Sequence, residues 1–261
     1  MAGARSHFIL GVVLCLGSPV VWAQSVTVNT SLTLNSLTIT PSGPDATLNF
    51  TTPVVGATYT QAQDSTGGSA YGTTSAIDSP FADASGSTSL SPLGGLVTAD
   101  ITLPDPFAGF ASSSGDSYLS GAFEITGTNN PVDVTFTALL SNYQYLLTDA
   151  NGQSAYSESI FTLLLPDVSY DPVLFSDNLL TLTGPNQFTS SGGPQPLSTT
   201  ISLQPNTPYS FTSTLDAEAN GYGVLAVPDG SNPVALVLIA VGLSAAFGGL
   251  IARKPRLAER G

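Results

Sequence analysis

The sequence predicts an all-β fold, an antiparallel β-sandwich of jelly-roll-like type over residues 24–226, between an N-terminal signal peptide and one C-terminal transmembrane helix. Three observations predict it. Short runs rich in Thr, Val, Leu, Tyr and Phe recur at roughly ten-residue spacing, as strands do. Clusters of Gly, Pro, Asn and Asp interrupt them, and no long stripe of helical period is present. The body of the chain is long enough to bury a large core, at about 70% of its unfolded surface.

In chain order, Val26–Asn29 and Leu32–Leu34 alternate strictly between apolar and polar residues. The alternation slips at Asn35-Ser36 and resumes at Leu37–Ile39, which predicts a bulge or turn there. Ala46–Thr51 is a further alternating run, and residues 58–95 are rich in Gly, Ser and Ala, so they predict a loop-rich stretch or weak edge strands. Strands are predicted at Val97–Leu103, Tyr118–Ile125, Val132–Leu139, Tyr143–Leu147 and Tyr156–Leu165. Further strands are predicted at Leu179–Leu182, Thr199–Leu203, Tyr209–Leu215 and Tyr222–Val227. A β-solenoid is the alternative all-β fold, but no fixed repeat length is found.

The charges are segregated. The chain has 5 Lys+Arg, 18 Asp+Glu and a formal net charge of -13, yet Ser6 to Ala252 contains no Lys or Arg. The single His, Cys, Met and Trp all fall within the first 22 residues. The body therefore lacks the residues for Ser-His or Cys-His nucleophiles, His/Cys metal sites, disulfides and phosphate clamps. It also lacks the cations that a nucleic acid needs, which excludes nucleic acid as a partner. Edge strands, commonly guarded by Lys, must here be guarded otherwise; Asp100, Asp105, Asp133 and Asp171 are candidates.

Residues 1–23 have the layout of a secretory signal: Arg5 and His7, an apolar Phe8–Leu16, the breaker Ser18-Pro19, and Val21-Trp22-Ala23. Cleavage is expected between Ala23 and Gln24. An uncleaved anchor is the alternative, but the apolar run is short for a bilayer. Cys15 lies inside the apolar run behind Leu14, not behind the small residue that lipoprotein processing wants.

Residues 234–252 form an uncharged apolar run close to the roughly 20 residues of a membrane-spanning helix. Arg253, Lys254 and Arg256 follow in a basic tail, 253–261, which orients the body outside the membrane. Residues 227–233, Val-Pro-Asp-Gly-Ser-Asn-Pro, precede the span. A Val227-Pro228-Asp229 motif, an apolar helix and a terminal basic cluster, in that order, resemble the sorting tail of the PEP-CTERM group, in its V-P-D-S-G form. Here Gly230-Ser231 reverse the Ser-Gly order, and the Pro-Glu-Pro form is absent. The resemblance covers 227–261 alone. It implies processing by an exosortase-type enzyme, localisation at the cell surface or outside the cell, and association with exopolysaccharide in a biofilm or floc matrix. A plain single-span anchor is the alternative.

The remaining chemistry is that of carboxylates. Asp216 with Glu218, and Glu124 with Glu158, are the candidate catalytic pairs. The expectation is that the acids are surface charges and the protein is not an enzyme; a surface hydrolase is the lesser alternative. Ca²⁺ is the one candidate cofactor. Asp149 and Asn151 open a run like a calcium loop, but Ser154 and Ile160 stand where such a loop needs Gly and Glu. A hairpin turn through Asn151-Gly152 is the alternative there. Asp167, Asp171 and Asp177 are a second Ca²⁺ candidate. Tyr143, Tyr145, Tyr156, Tyr170 and Tyr209 are read mainly as packing residues, with a sugar-stacking platform as the functional alternative. A membrane-anchored carbohydrate- or Ca²⁺-binding module is thus the competing function.

Overall fold

The structure is a computed structural model that describes residues 25–66, 69–73, 76–79, 81–104, 109–149 and 151–224. Signal residues 1–23, the Ala23/Gln24 junction and the tail from Val227 onward lie outside the described residues. Among the described residues every regular element is a strand, and no helix is long and apolar enough to cross a membrane.

Among the described residues, twelve strands form two six-stranded antiparallel sheets. They are β1 (Val26–Pro41), β2 (Thr47–Asp64), β3 (Ser69–Gly72), β4 (Ala76–Ser79), β5 (Ala82–Leu90) and β6 (Leu93–Leu103). Then come β7 (Gly109–Thr126), β8 (Val132–Thr148), β9 (Ser154–Leu165), β10 (Ser169–Thr183), β11 (Asn186–Leu203) and β12 (Pro208–Gly223). Sheet A has the order β11-β8-β1-β6-β5-β4, and sheet B the order β10-β9-β12-β7-β2-β3. The sheets face each other, β1 and β6 against β12 and β5 against β2, as in a β-sandwich.

Period-2 alternation puts one side of each strand into a shared core. In β1 it buries Val26, Val28, Leu32 and Leu34, and after a bulge between Leu34 and Ser36 it buries Leu37. The slip read from Asn35-Ser36 is this bulge. Phe123, Phe136, Phe161 and Phe211 are fully buried, and Phe123 packs against Phe136 and Tyr209 at ring-centroid distances of 6.0 and 5.9 Å. Hydroxyl and amide groups tie the layers together. Thr30 Oγ1 and Ser157 Oγ are 2.7 Å apart across the core, Gln144 Nε2 donates to Asn178 O at 2.8 Å, and Ser117 Oγ donates to Ser87 O at 3.0 Å. Buried polar groups paired in this way avoid the cost of desolvation without partners.

Several expectations are corrected. The stretch 58–95 is mostly strand and not loop: it holds the end of β2, all of β3, β4 and β5, and the start of β6, and of these the four-residue β3 and β4 are edge strands, as the alternative expectation had it. Its small residues fit a close approach of the two sheets. A Cβ on Gly115 of β7 would lie 2.8 Å from Ser85 O and 2.9 Å from Thr98 O of the opposing sheet. Gly86 of β5 similarly faces Asp116 O at 3.1 Å. Predicted pairs of strands also fuse. Val132–Leu139 and Tyr143–Leu147 are both parts of β8, and β12 continues through Asp216–Gly221 to Gly223. Asn151-Gly152 does not close a hairpin, because β8 belongs to sheet A and β9 to sheet B; the chain changes sheets there, with Gly152 at φ 84°. Asp100 and Asp133 are not on edge strands, since β6 and β8 are paired on both sides. Asp171, on edge strand β10 beside Pro172, does lie where an edge needs protection.

Candidate functional site

The carboxylates gather on the outer face of sheet B. In β12, Leu215, Ala217 and Ala219 point into the core, so Asp216, Glu218 and Asn220 point outward. Glu218 stands opposite Glu158 of β9, and Asp216 stands opposite Asp116 of β7. Asp177 of β10 and Tyr59 of β2 extend the Asp116–Asp216 row to the two sides, through Ile160 in the first case. The shared face of Asp216 and Glu218 follows from their i, i+2 spacing. Glu124 is not brought to Glu158: it pairs with Pro208 and Asn49 near the far end of β7. Asp116 had no signal in the sequence beyond being an acid, because its neighbour lies one hundred positions away and only the register sets it.

Crowding of like charges is answered by proton sharing and by neutral donors. Burial first, then the Asp116 charge and the hydrogen bond between them, push the Asp216 carboxyl up to about 7. Burial likewise raises Asp116, although its hydrogen bond with Asp216 pulls the other way. Asp216 is thus the proton holder of the pair. Tyr156 Oη donates to Glu158 Oε2 at 2.5 Å, and Asn220 Nδ2 donates to Glu218 Oε1 at 2.5 Å. Burial and that hydrogen bond to Glu158 raise the Tyr156 phenol, which keeps it a donor. Asp116 and Asp216 form a hydrogen-bonded carboxyl pair. It can hold and exchange one proton. Among the described residues no group of three or more carboxylates is placed to hold a metal ion.

Two adjoining hollows lie on this face. One, of about 380 Å³, is lined by Phe110, Tyr156, Tyr222, Thr181 and Asn220 among others. The other, of about 350 Å³, is lined by Gln61, Gln63, Ser112, Ser114, Asp216 and Asn220 among others. Asn220 borders both. Phe110 and Tyr222 stand directly opposite each other across the β7–β12 ladder and remain 46% and 50% exposed, so their ring faces are available for stacking.

Of the five tyrosines read from the sequence, only Tyr156 borders these hollows. Tyr143 is exposed on sheet A, and Tyr170 stands 94% exposed on β10. Tyr209 belongs to the core, where its Oη accepts a hydrogen bond from Gln204 N at 2.9 Å. Phe110 and Tyr222 carried a signal that reading missed: each lies one residue inside a strand end, an aromatic next to Gly. The Asp149 carboxylate accepts hydrogen bonds from Ser25 N and Ser25 Oγ at 3.2 and 3.0 Å, pinning the start of β1, and Asn151 lies in the following turn. Asp167 Oδ2 accepts from Ser210 N at 2.6 Å, tying the β9–β10 turn to β12.

Compared with family models, curated proteins and solved structures, the chain matches none.

Proposed function

We propose that this chain is an exported, non-enzymatic bacterial protein of the cell surface or extracellular matrix, sorted through its C-terminal tail and associated with exopolysaccharide. Residues 1–23 direct it across the inner membrane, and residues 234–252 halt it there with the body outside. An exosortase-type enzyme acts near Val227-Pro228-Asp229. The observation that carries this reading is the segregation of charge: every Lys and Arg lies at the two ends, and the body between them has sixteen acids and no base. Basic residues confined to the flanks of apolar runs are membrane-orientation signals. The finer fold reading, jelly-roll-like, is supported by β6, β7, β8 and β9, which alternate between the two sheets. The test is fractionation of cells expressing the chain with and without an exosortase-type enzyme. The reading expects release from the membrane only in the presence of the enzyme; release in both hosts, or in neither, counts against it.

A second reading, a membrane-anchored carbohydrate- or Ca²⁺-binding module, draws on the outer face of sheet B. It expects the same face to work on a chain that keeps its anchor, so the fractionation separates the two.

A further inference from the structure

We propose that the outer face of sheet B is a binding groove for an uncharged polysaccharide, which stacks on Phe110 and Tyr222 and runs past Asn220 to Gln61 and Gln63. This deepens the exopolysaccharide part of the reading above and is independent of the sorting part.

Three observations converge on it. The first is shape. The aromatic hollow and the polar hollow meet at Asn220, and the rows from Tyr222 to Asp216 span seven residues of β12, six steps along the strand. At strand rise that is about 20 Å, a length for several linked sugar rings rather than one small molecule. The second is chemistry. Half-exposed aromatic rings offer faces for the C–H sides of pyranoses, and the adjoining lining offers Gln61, Gln63, Asn220, Ser112 and Ser114. Amides and hydroxyls both donate and accept, which suits hydroxyl-rich ligands. A few placed polar groups beside apolar surface are the usual build of a ligand groove.

The third observation is charge, and it selects among polysaccharides. Asp116, Glu158, Asp216 and Glu218 share this face, and no cation lies anywhere in the body to pair with a uronate or sulfate. Polyanions are repelled over the surface of the body. Asp116, Asp216 and Glu218 line the polar end of the groove, and its carboxylates are already engaged: Glu158 accepts from Tyr156, Glu218 accepts from Asn220, and Asp216 bonds Asp116. Their remaining lone pairs accept from sugar hydroxyls and do not require an ammonium group.

The experiment is affinity electrophoresis and calorimetry on the full-length chain, kept in a detergent whose headgroup is not a sugar. The probes are a soluble β-glucan, dextran and a mannan as neutral polymers, with a polyuronate and a glucosamine polymer for comparison. At least one neutral polymer is expected to retard the protein, the polyuronate is not, and the glucosamine polymer is expected to bind no better than the best neutral one. Tyr222→Ala and Phe110→Ala are expected to weaken binding at least tenfold, and Tyr143→Ala on sheet A to leave it unchanged. Ser112→Trp, which fills the hollow and removes no core side chain, is expected to abolish binding with an unchanged urea midpoint. Failure to bind any neutral polymer, wild-type binding by Tyr222→Ala and Ser112→Trp, or tighter binding of either charged polymer overturns the proposal. None of these outcomes bears on release from the membrane, which tests the sorting reading separately.

Discussion

The Asp116–Asp216 pair predicts that this domain is most stable in mild acid and loses stability toward alkaline pH. The sign follows from proton binding. A carboxyl raised from an ordinary value of 3.8 to about 7 holds a proton in the folded state that the unfolded chain has already released. Between those two values the folded state binds more protons, so stability falls as pH rises and levels off above about pH 7. Within the assayed window only the span from pH 5 to about 7 counts, and about two pH units at roughly 1.36 kcal/mol each set a ceiling of about 3 kcal/mol. The carboxyls lie on a solvent-facing surface, where water and salt screen them, so about 2 kcal/mol is expected. With a urea slope of about 2 kcal/mol/M this is a fall of about 1 M in the midpoint between pH 5 and pH 8. The assay is urea unfolding followed by far-UV circular dichroism at the two pH values, on the wild type and on Asp216→Asn. The amide keeps a donor for Asp116 and cannot ionise, so the variant is expected to lose most of the pH dependence. A wild-type midpoint that stays level or rises toward pH 8 refutes the reasoning. So does an Asp216→Asn variant that keeps the full pH dependence.

Other substitutions probe the packing. Gly115→Ala forces a methyl against two backbone carbonyls of the opposing sheet, and a loss of about 1–3 kcal/mol is expected in the same urea assay. Gly193→Ala, with open space around its Cβ, is the matched control and is expected to stay within about 0.5 kcal/mol of wild type. Phe123→Ala removes the ring that meets Phe136, Tyr209 and Phe211, and is expected to cost about 3–5 kcal/mol by calorimetry or urea. Tyr209→Phe leaves Gln204 N without its acceptor at the cost of one hydroxyl, so about 1 kcal/mol is expected, with the fold retained by circular dichroism.

The legible parts of the fold were those whose inner faces are aliphatic or aromatic. β1 could be read to the position of its bulge because Val, Leu and Ile mark the buried side. β5, the first half of β7 and the second half of β12 could not, because Ala, Ser and Gly occupy the buried positions where the sheets approach closely. Alternation persists there, but between small residues and polar ones, which a search for apolar residues passes over. The candidate site was half legible for a related reason. Spacing along one strand puts Asp216 and Glu218 on one face, whereas the partners Asp116 and Glu158 come from other strands. Their positions depend on ladder register, which is set by the whole sheet. Sequence proximity also suggested a hairpin at Asn151-Gly152, and the two-layer topology sends that turn between sheets instead.

The most direct test of the proposed export and sorting is the intact mass of the protein recovered outside the cell from a host with the exosortase-type enzyme. The account predicts a chain that begins at Gln24 and ends near Val227-Pro228-Asp229, without the apolar span 234–252 and the basic tail 253–261. A mass that retains residues 234–261, or one that still includes residues 1–23, contradicts it.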